Sequence, residues 1–315
     1  MKKFIFRSAA LLALTYALLL LTHMYVVNVI NKEDFLPEPC QDYVFSNKDF
    51  NWIWIGNSRT FVHVDQNTFN NDSISSYSLV QDGGSVDLIY YKLKNYLRRN
   101  NPPDVIFLQV DYSMAVPEFN EFVDIRPSQF FNWNSKKYLL KHYNWVEKIY
   151  FYIPGIAFDL KTIVKTIFRI DEHIYFNGFY PVDKEFGYQT DLDWEHKFTD
   201  STFNLAESNY IDSIVNKCKQ YNVRCALWIP PSSLSLERAW TYSTSFNTML
   251  TGLESKYAVD LELIDCRDTL RFKDQECFYN HTHLNKFGVN SLSKLLLNNI
   301  TQNTYFSKGS TKISN

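Results

Sequence analysis

A doubly wound parallel α/β sheet is the fold class this sequence predicts, and three observations predict it. Short, mainly apolar runs at Trp52–Ile55, Tyr77–Val80, Asp104–Asp111, Val223–Ile229 and Leu261–Asp265 read as buried strands. Segments with apolar residues at helical spacing fall between several of them. Pro102-Pro103 and Pro230-Pro231 stop the chain where one kind of element gives way to the other.

Taken in order, the chain begins with Met1-Lys2-Lys3 and Arg7, followed by an apolar run from about residue 8 to residue 30. That run is long enough to span a bilayer as a helix, and no Ala-x-Ala cleavage site follows it. The expectation is a cytoplasmic segment 1–7 and a retained signal anchor 8–30, with the remainder outside the cytoplasm at the inner membrane. Residues 31–50, with Glu33, Asp34, Pro37, Pro39 and Asp42, read as a tether. The first strand then runs into Gly56-Asn57-Ser58-Arg59. Gly56 permits a sharp turn where a side chain would clash. Ser58 falls where strand meets helix, beside the N–H groups of that helix, and open α/β sheets place ligands at such ends.

An irregular stretch rich in Asn and Ser leads to the second strand, which ends in Gln81-Asp82-Gly83-Gly84-Ser85. Val86, Ile89, Tyr90, Leu93 and Leu97 predict a helix over 86–99. After the third strand the pattern dissolves, and residues 112–200 read as a helical, aromatic-rich insertion over the strand ends or as a peripheral helical layer. Helical spacing returns over Leu205–Tyr221, and Ser235–Tyr257 is expected to be mainly helical, weakened near its end by Gly252. Phe287, Leu292, Leu295, Leu296 and Ile300 give a final helix one apolar face, with Asn285 as its N-cap. The polar segment 301–315 reads as a disordered tail.

Composition narrows the function. A net charge of -2 with no basic stripe gives no footprint for nucleic acid. The chain holds 25 Phe and 21 Tyr, which leaves rings for a cleft or interface as well as a core. Five cysteines fit an oxidising compartment, with none in Cys-x-x-Cys spacing, so no zinc ribbon is expected. At least one disulfide is expected, with Cys266–Cys277 the leading pair because they flank the loop before the last helix. His281-x-His283 alone lacks a third ligand, so no metal is expected. His63 reads as a surface or interface histidine.

Gly56-Asn57-Ser58 after the first strand, together with Asn280-x-x-His283-Leu284-Asn285-x-x-Gly288 before the last helix, resembles the SGNH/GDSL hydrolase superfamily. The resemblance covers residues 51–300, apart from the insertion. It implies a three-layer α/β/α, flavodoxin-like sheet and acyl-ester chemistry without a cofactor, with Ser58 as nucleophile and His283 as its base. The anchor makes the chain similar to the branch that moves acyl groups on and off surface polysaccharides. In the family an Asp stands where this chain has Asn280, and an amide orients an imidazole without stabilising its charged form. A Ser58–His283 dyad, a carboxylate from Asp265, Asp268 or Asp274, or lost catalysis are the three readings. For the oxyanion the resemblance implies the N–H groups of Ser58 and of Gly83 or Gly84, with an Asn from a third block. Here that block ends Leu108-Gln109-Val110-Asp111. Asp111 would repel an oxyanion and is expected instead to pair with Arg59, steadying the loop after Ser58.

Two functions follow as expectations. One is an anchored extracytoplasmic serine acyl-ester hydrolase or O-acyltransferase acting on a cell-surface or exported carbohydrate, with a multispanning membrane partner as acyl donor. The other is a non-catalytic carbohydrate-binding or assembly component of an envelope polysaccharide complex.

Overall fold

The computed structural model describes residues 2–32, 47–71, 74–80, 86–111, 145, 205–234, 244–257, 261–269 and 274–307. The chain divides into two compact units, residues 1–46 with 123–174, and residues 47–122 with 175–315. In the first unit, helix α1 spans Lys2–Lys32. Its stretch Lys2–Thr22 is long and apolar enough to cross a membrane, at 21 residues. Phe4, Phe6, Leu11, Leu12 and Leu21 are exposed along it. The hydroxyls of Thr15 and Thr22 donate back to the carbonyls of Leu11 and Leu18, both at 2.9 Å, so these two hydroxyls are satisfied within the helix.

The second unit is built on a five-stranded sheet: β1 (Trp52–Gly56), β2 (Ser76–Val80), β3 (Val105–Gln109), β4 (Arg224–Ile229) and β5 (Leu261–Asp265). The strand order is β2-β1-β3-β4-β5 and every pairing is parallel. This is the doubly wound α/β order, with the chain reversing direction across the sheet between β1 and β3. β1 to β3 are buried at every position, as their continuous apolar runs require when both faces are covered.

Successive side chains of β1 point to opposite faces. Trp52 and Trp54 share one core with Phe107 and Trp228, and the rings of Trp54 and Phe107 stack at 4.1 Å. Helix α8 (Lys286–Gln302) closes that core with Val289, Leu292, Leu296 and Ile300. The first helices after β1, α2 (Ser58–His63) and α3 (Gln66–Phe69), lie against α8. On the other side, α4 (Val86–Arg99) and α5 (Leu205–Gln220) pack on each other and on the strands. Helix α6 (Thr244–Tyr257) lies beside β5. Gly252 faces open space in α6, and the helix continues through it to Tyr257.

Local chemistry sets the boundaries. Asn222, at φ 55°, takes the left-handed conformation that ends α5, and the Val223 N–H returns to the Cys218 carbonyl at 2.9 Å. Asn285 caps α8 by accepting from the N–H groups of Phe287 and Gly288. A Cβ at Gly288 would run into the carbonyl of Cys277, the last residue of α7 (Asp274–Cys277).

Two expectations are corrected. Segment 301–315 is not a disordered tail from its start: α8 runs to Gln302, and a further turn, α9 (Thr304–Ser307), buries Phe306 in the core. The driving force is the apolar area of that ring, which the polar composition around it hides. The Cys266–Cys277 disulfide is absent. Cys218, Cys225, Cys266 and Cys277 are all buried and unbridged, and Cys266 and Cys277 sit in the core beneath α8, filling space as small apolar groups. Cys40, Gly83 and Gly84, most of the 31–50 tether and the 112–200 insertion, apart from Trp145, lie outside the described residues.

Candidate active site

The site is assembled at the carboxyl ends of β1 and β3. β1 delivers the chain into Asn57, which caps α2 by accepting from the Arg59 N–H at 3.1 Å. Ser58 is thereby the first helical residue, partly exposed at the sheet edge. Gly56 is required here by close approach, since a Cβ on it would strike Thr60 Oγ1 and the Gln109 side chain.

Gln109 organises this turn. Its Oε1 accepts from the N–H of Asn57 at 3.1 Å, the N–H of Thr60 at 3.1 Å and the Thr60 hydroxyl at 2.6 Å. Its Nε2 donates to Asn57 Oδ1 at 2.7 Å and to Asp111 Oδ2 at 2.6 Å. All of these groups are buried, so the amide satisfies polar atoms that would otherwise be costly to leave bare. The third block holds the Asn57–Thr60 turn through the Gln109 amide, where the sequence shows only that the family's Asn is missing. An amide ending an otherwise apolar strand opposite a Gly-Asn-Ser turn was the available signal.

Arg59 and Asp111 form a buried ion pair at 2.9 Å. Arg59 Nη2 also donates to the carbonyls of Pro230 and Pro231 and to Ser232 Oγ, at 3.1, 2.5 and 2.6 Å. One guanidinium thus ties the turn after β1 to the strand ends of β3 and β4. Removing either partner of such a pair strands a buried charge, at a cost of about 3–5 kcal/mol.

The second half of the site is the loop before α8, closed by an antiparallel bridge between Phe278 and Leu284. His283 Nε2 lies 3.1 Å from Ser58 Oγ, across 225 residues of sequence. Its Nδ1 lies 2.9 Å from Thr282 Oγ1 and 3.2 Å from Asn280 Oδ1. Asn280 Oδ1 also accepts from the N–H groups of Thr282 and His283, at 2.9 and 2.8 Å, and from the Thr282 hydroxyl at 3.1 Å. With those acceptors at Nδ1, the neutral ring carries its proton there and presents a lone pair at Nε2 to Ser58. The Tyr279 ring lies parallel to the imidazole, with centroids 5.6 Å apart and 11° between planes.

No carboxylate among the described residues contacts His283. Asp265 instead pairs with Arg267 at 2.5 Å. Burial and then the nearby Arg59 charge push the His283 pKa down to about 3. The imidazole therefore rests neutral, but it is a weaker base than one supported by an aspartate.

His63 is corrected from a surface residue to a fully buried one. Its Nε2 accepts the N–H of Leu284 at 3.1 Å, and its ring meets that of His283 edge-on, 6.1 Å away. Burial, Arg59 and His283 together hold its pKa well below the ordinary histidine value. His281 is also buried and serves the loop: its Nδ1 lies 3.2 Å from Ser233 Oγ, and its carbonyl accepts the Ser233 N–H at 3.1 Å. Among the described residues, no group of three or more His, Cys, Asp or Glu is arranged to hold a metal ion.

No protein-family model matches the chain, and neither does any curated protein. Among solved structures, it is similar to a protein from Streptococcus pneumonia provisionally assigned as a platelet activating factor. That match has 13% identity and a TM-score of 0.43, covering 92% of this chain and 98% of the other. It is also similar to a Bacteroides fragilis protein provisionally assigned as an acylhydrolase, at 9% identity and a TM-score of 0.42, covering 85% of this chain and 97% of the other. The class is defined by this chain's own features: a parallel five-stranded α/β sheet with a serine–histidine contact at the carboxyl ends of its strands.

Proposed function

We propose that this protein is a serine acyl-ester hydrolase or O-acyltransferase of the SGNH/GDSL type, held at the inner membrane by α1 with its sheet unit outside the cytoplasm. The carrying observation is the 3.1 Å contact between Ser58 Oγ and His283 Nε2. Ser58 Oγ attacks the acyl carbonyl carbon as His283 Nε2 takes the hydroxyl proton. The tetrahedral intermediate collapses, its ester C–O bond breaks, and the alcohol leaves with the proton from His283. Water or an acceptor hydroxyl then gives a proton to His283 and attacks the acyl-serine; the acyl carbon–Ser58 Oγ bond breaks, His283 returns the proton to Ser58 Oγ, and acid or a new ester is released. The N–H of Ser58 and that of Gly83 or Gly84 serve as oxyanion donors in this reading. The carbohydrate substrate and a multispanning membrane acyl donor rest on the resemblance and on the anchor. The basic residues Lys2, Lys3 and Arg7 favour a cytoplasmic N-terminus.

The non-catalytic carbohydrate-binding reading is favoured by one specific observation, the amide at Asn280 with no carboxylate among the described residues on His283. A fluorophosphonate probe decides between the two. Covalent labelling of Ser58 that disappears in Ser58→Ala and His283→Ala is expected for the enzyme. Folded wild-type protein that takes up no label establishes the binding reading instead.

A further inference from the structure

We infer that Tyr279 is the positioning residue of the Ser58–His283 pair, fixing the plane of the imidazole and supporting its charged form where Asn280 supplies no charge; this rests on the acyl-transfer reading above. Three observations lead to it. The Tyr279 ring is stacked nearly parallel on that of His283, at 5.6 Å and 11°, within the range over which an aromatic face attracts a cation.

The stack is also built on a fixed base. The Tyr279 N–H donates to the His283 carbonyl at 3.0 Å, and its side chain packs on Phe61 and Val62 of α2 and on Val80 at the end of β2. The ring therefore stands on the same helix that presents Ser58. Turning the imidazole out of that plane would give up the stack on Tyr279.

Finally, the other restraints on the ring are divided. Asn280 Oδ1 serves two backbone N–H groups and the Thr282 hydroxyl besides His283 Nδ1, so it orients the ring through a shared and uncharged acceptor. Arg59 acts against the imidazolium. When Ser58 passes its proton to Nε2, the face of Tyr279 is, among the described residues, the group beside the ring that favours positive charge. No covalent chemistry is assigned to Tyr279, which acts through His283.

The test compares Tyr279→Phe, Tyr279→Leu and Tyr279→Met, each checked by thermal melting. Hydrolysis of a small activated ester is followed alongside the ring-nitrogen chemical shifts of His283, assigned by their loss in His283→Asn. Tyr279→Phe should keep kcat within about twofold, since the face is retained, whereas Leu and Met should lower kcat by about 2- to 30-fold with little change in KM. In wild type and Tyr279→Phe, Nδ1 should carry the proton and Nε2 should not. In the Leu and Met variants the two shifts should converge as the ring samples both tautomers. Folded Leu and Met variants with wild-type kcat and unchanged shifts overturn the inference. If wild-type protein turns over no ester and takes no fluorophosphonate, the acyl-transfer reading fails. The ring-nitrogen shifts then still decide: convergence only in Leu and Met supports the positioning role, and identical shifts in all variants reject it.

Discussion

An aspartate at position 280 would accept from the same donors as Asn280, so Asn280→Asp should leave the loop in place while adding a charge 3.2 Å from His283 Nδ1. That charge opposes the effect of Arg59 and raises the imidazole pKa from about 3 towards working pH. Hydrolysis of a small activated ester should rise about 10-fold or more, less than the roughly 10⁴ separating Asp from Asn in a serine protease. An unchanged rate with an unmoved acid limb in the pH profile would contradict this account of the site. At this scale Ser58 and His283 were legible, because each stands in a short motif with a boundary beside it. Gln109 was not, since its worth lies in the turn at Asn57–Thr60, which only folding brings to it. His63 was misread for the same reason: a lone histidine carries no mark of the backbone N–H it will meet, and that N–H belongs to Leu284.

Elements were legible where one signal dominated. The helix expected over 86–99 is α4 residue for residue, because its apolar stripe is continuous and a proline pair lies just beyond it. The short helices α3 and α7 were not foreseen. Four residues give no periodicity, and α3 depends on Asp65, whose carboxylate accepts the Asn67 N–H at 2.9 Å. Caps therefore carry much of the definition around the site, and Asn285 is the one with most attached to it. Besides capping α8, its Nδ2 donates to the Glu276 carbonyl at 2.7 Å, binding α8 to α7 on either side of the His283 loop. Asn285→Ala should cost about 1–2 kcal/mol, and more if the Glu276 carbonyl stays bare. Chemical denaturation would show this as a lower midpoint with an unchanged slope, and ester turnover should fall as the loop loosens. A midpoint equal to wild type would mean that solvent replaces the cap without penalty.

At the scale of the whole sheet unit, the strands and their doubly wound class followed from apolar runs and punctuation, while the fate of the cysteines did not, because a thiol and a half-cystine are the same letter. The unit relies on packed aromatic and aliphatic side chains, and it keeps two neighbouring histidines neutral among them. This has a consequence for acid stability. Both His63 and His283 have folded pKa values below the ordinary 6.5, His283 at about 3, chiefly through burial. An imidazole so depressed binds fewer protons folded than unfolded, so its share of stability is whole above about pH 6.5 and is lost as pH falls towards the folded pKa. At pH 5 His283 should steepen the decline by close to one proton, an upper limit of about 1.4 kcal/mol per pH unit, and His63 acts in the same direction. Urea midpoints should therefore hold near pH 7 and drop steadily from pH 6 to pH 4. His63→Gln separates the two contributions, since glutamine offers an oxygen to the Leu284 N–H but does not titrate. Its stability should fall less steeply than that of wild type between pH 6 and pH 4. Identical slopes for the two proteins would show that His63 already takes up its proton in the folded state, and with it that the Leu284 contact is not held by a neutral ring.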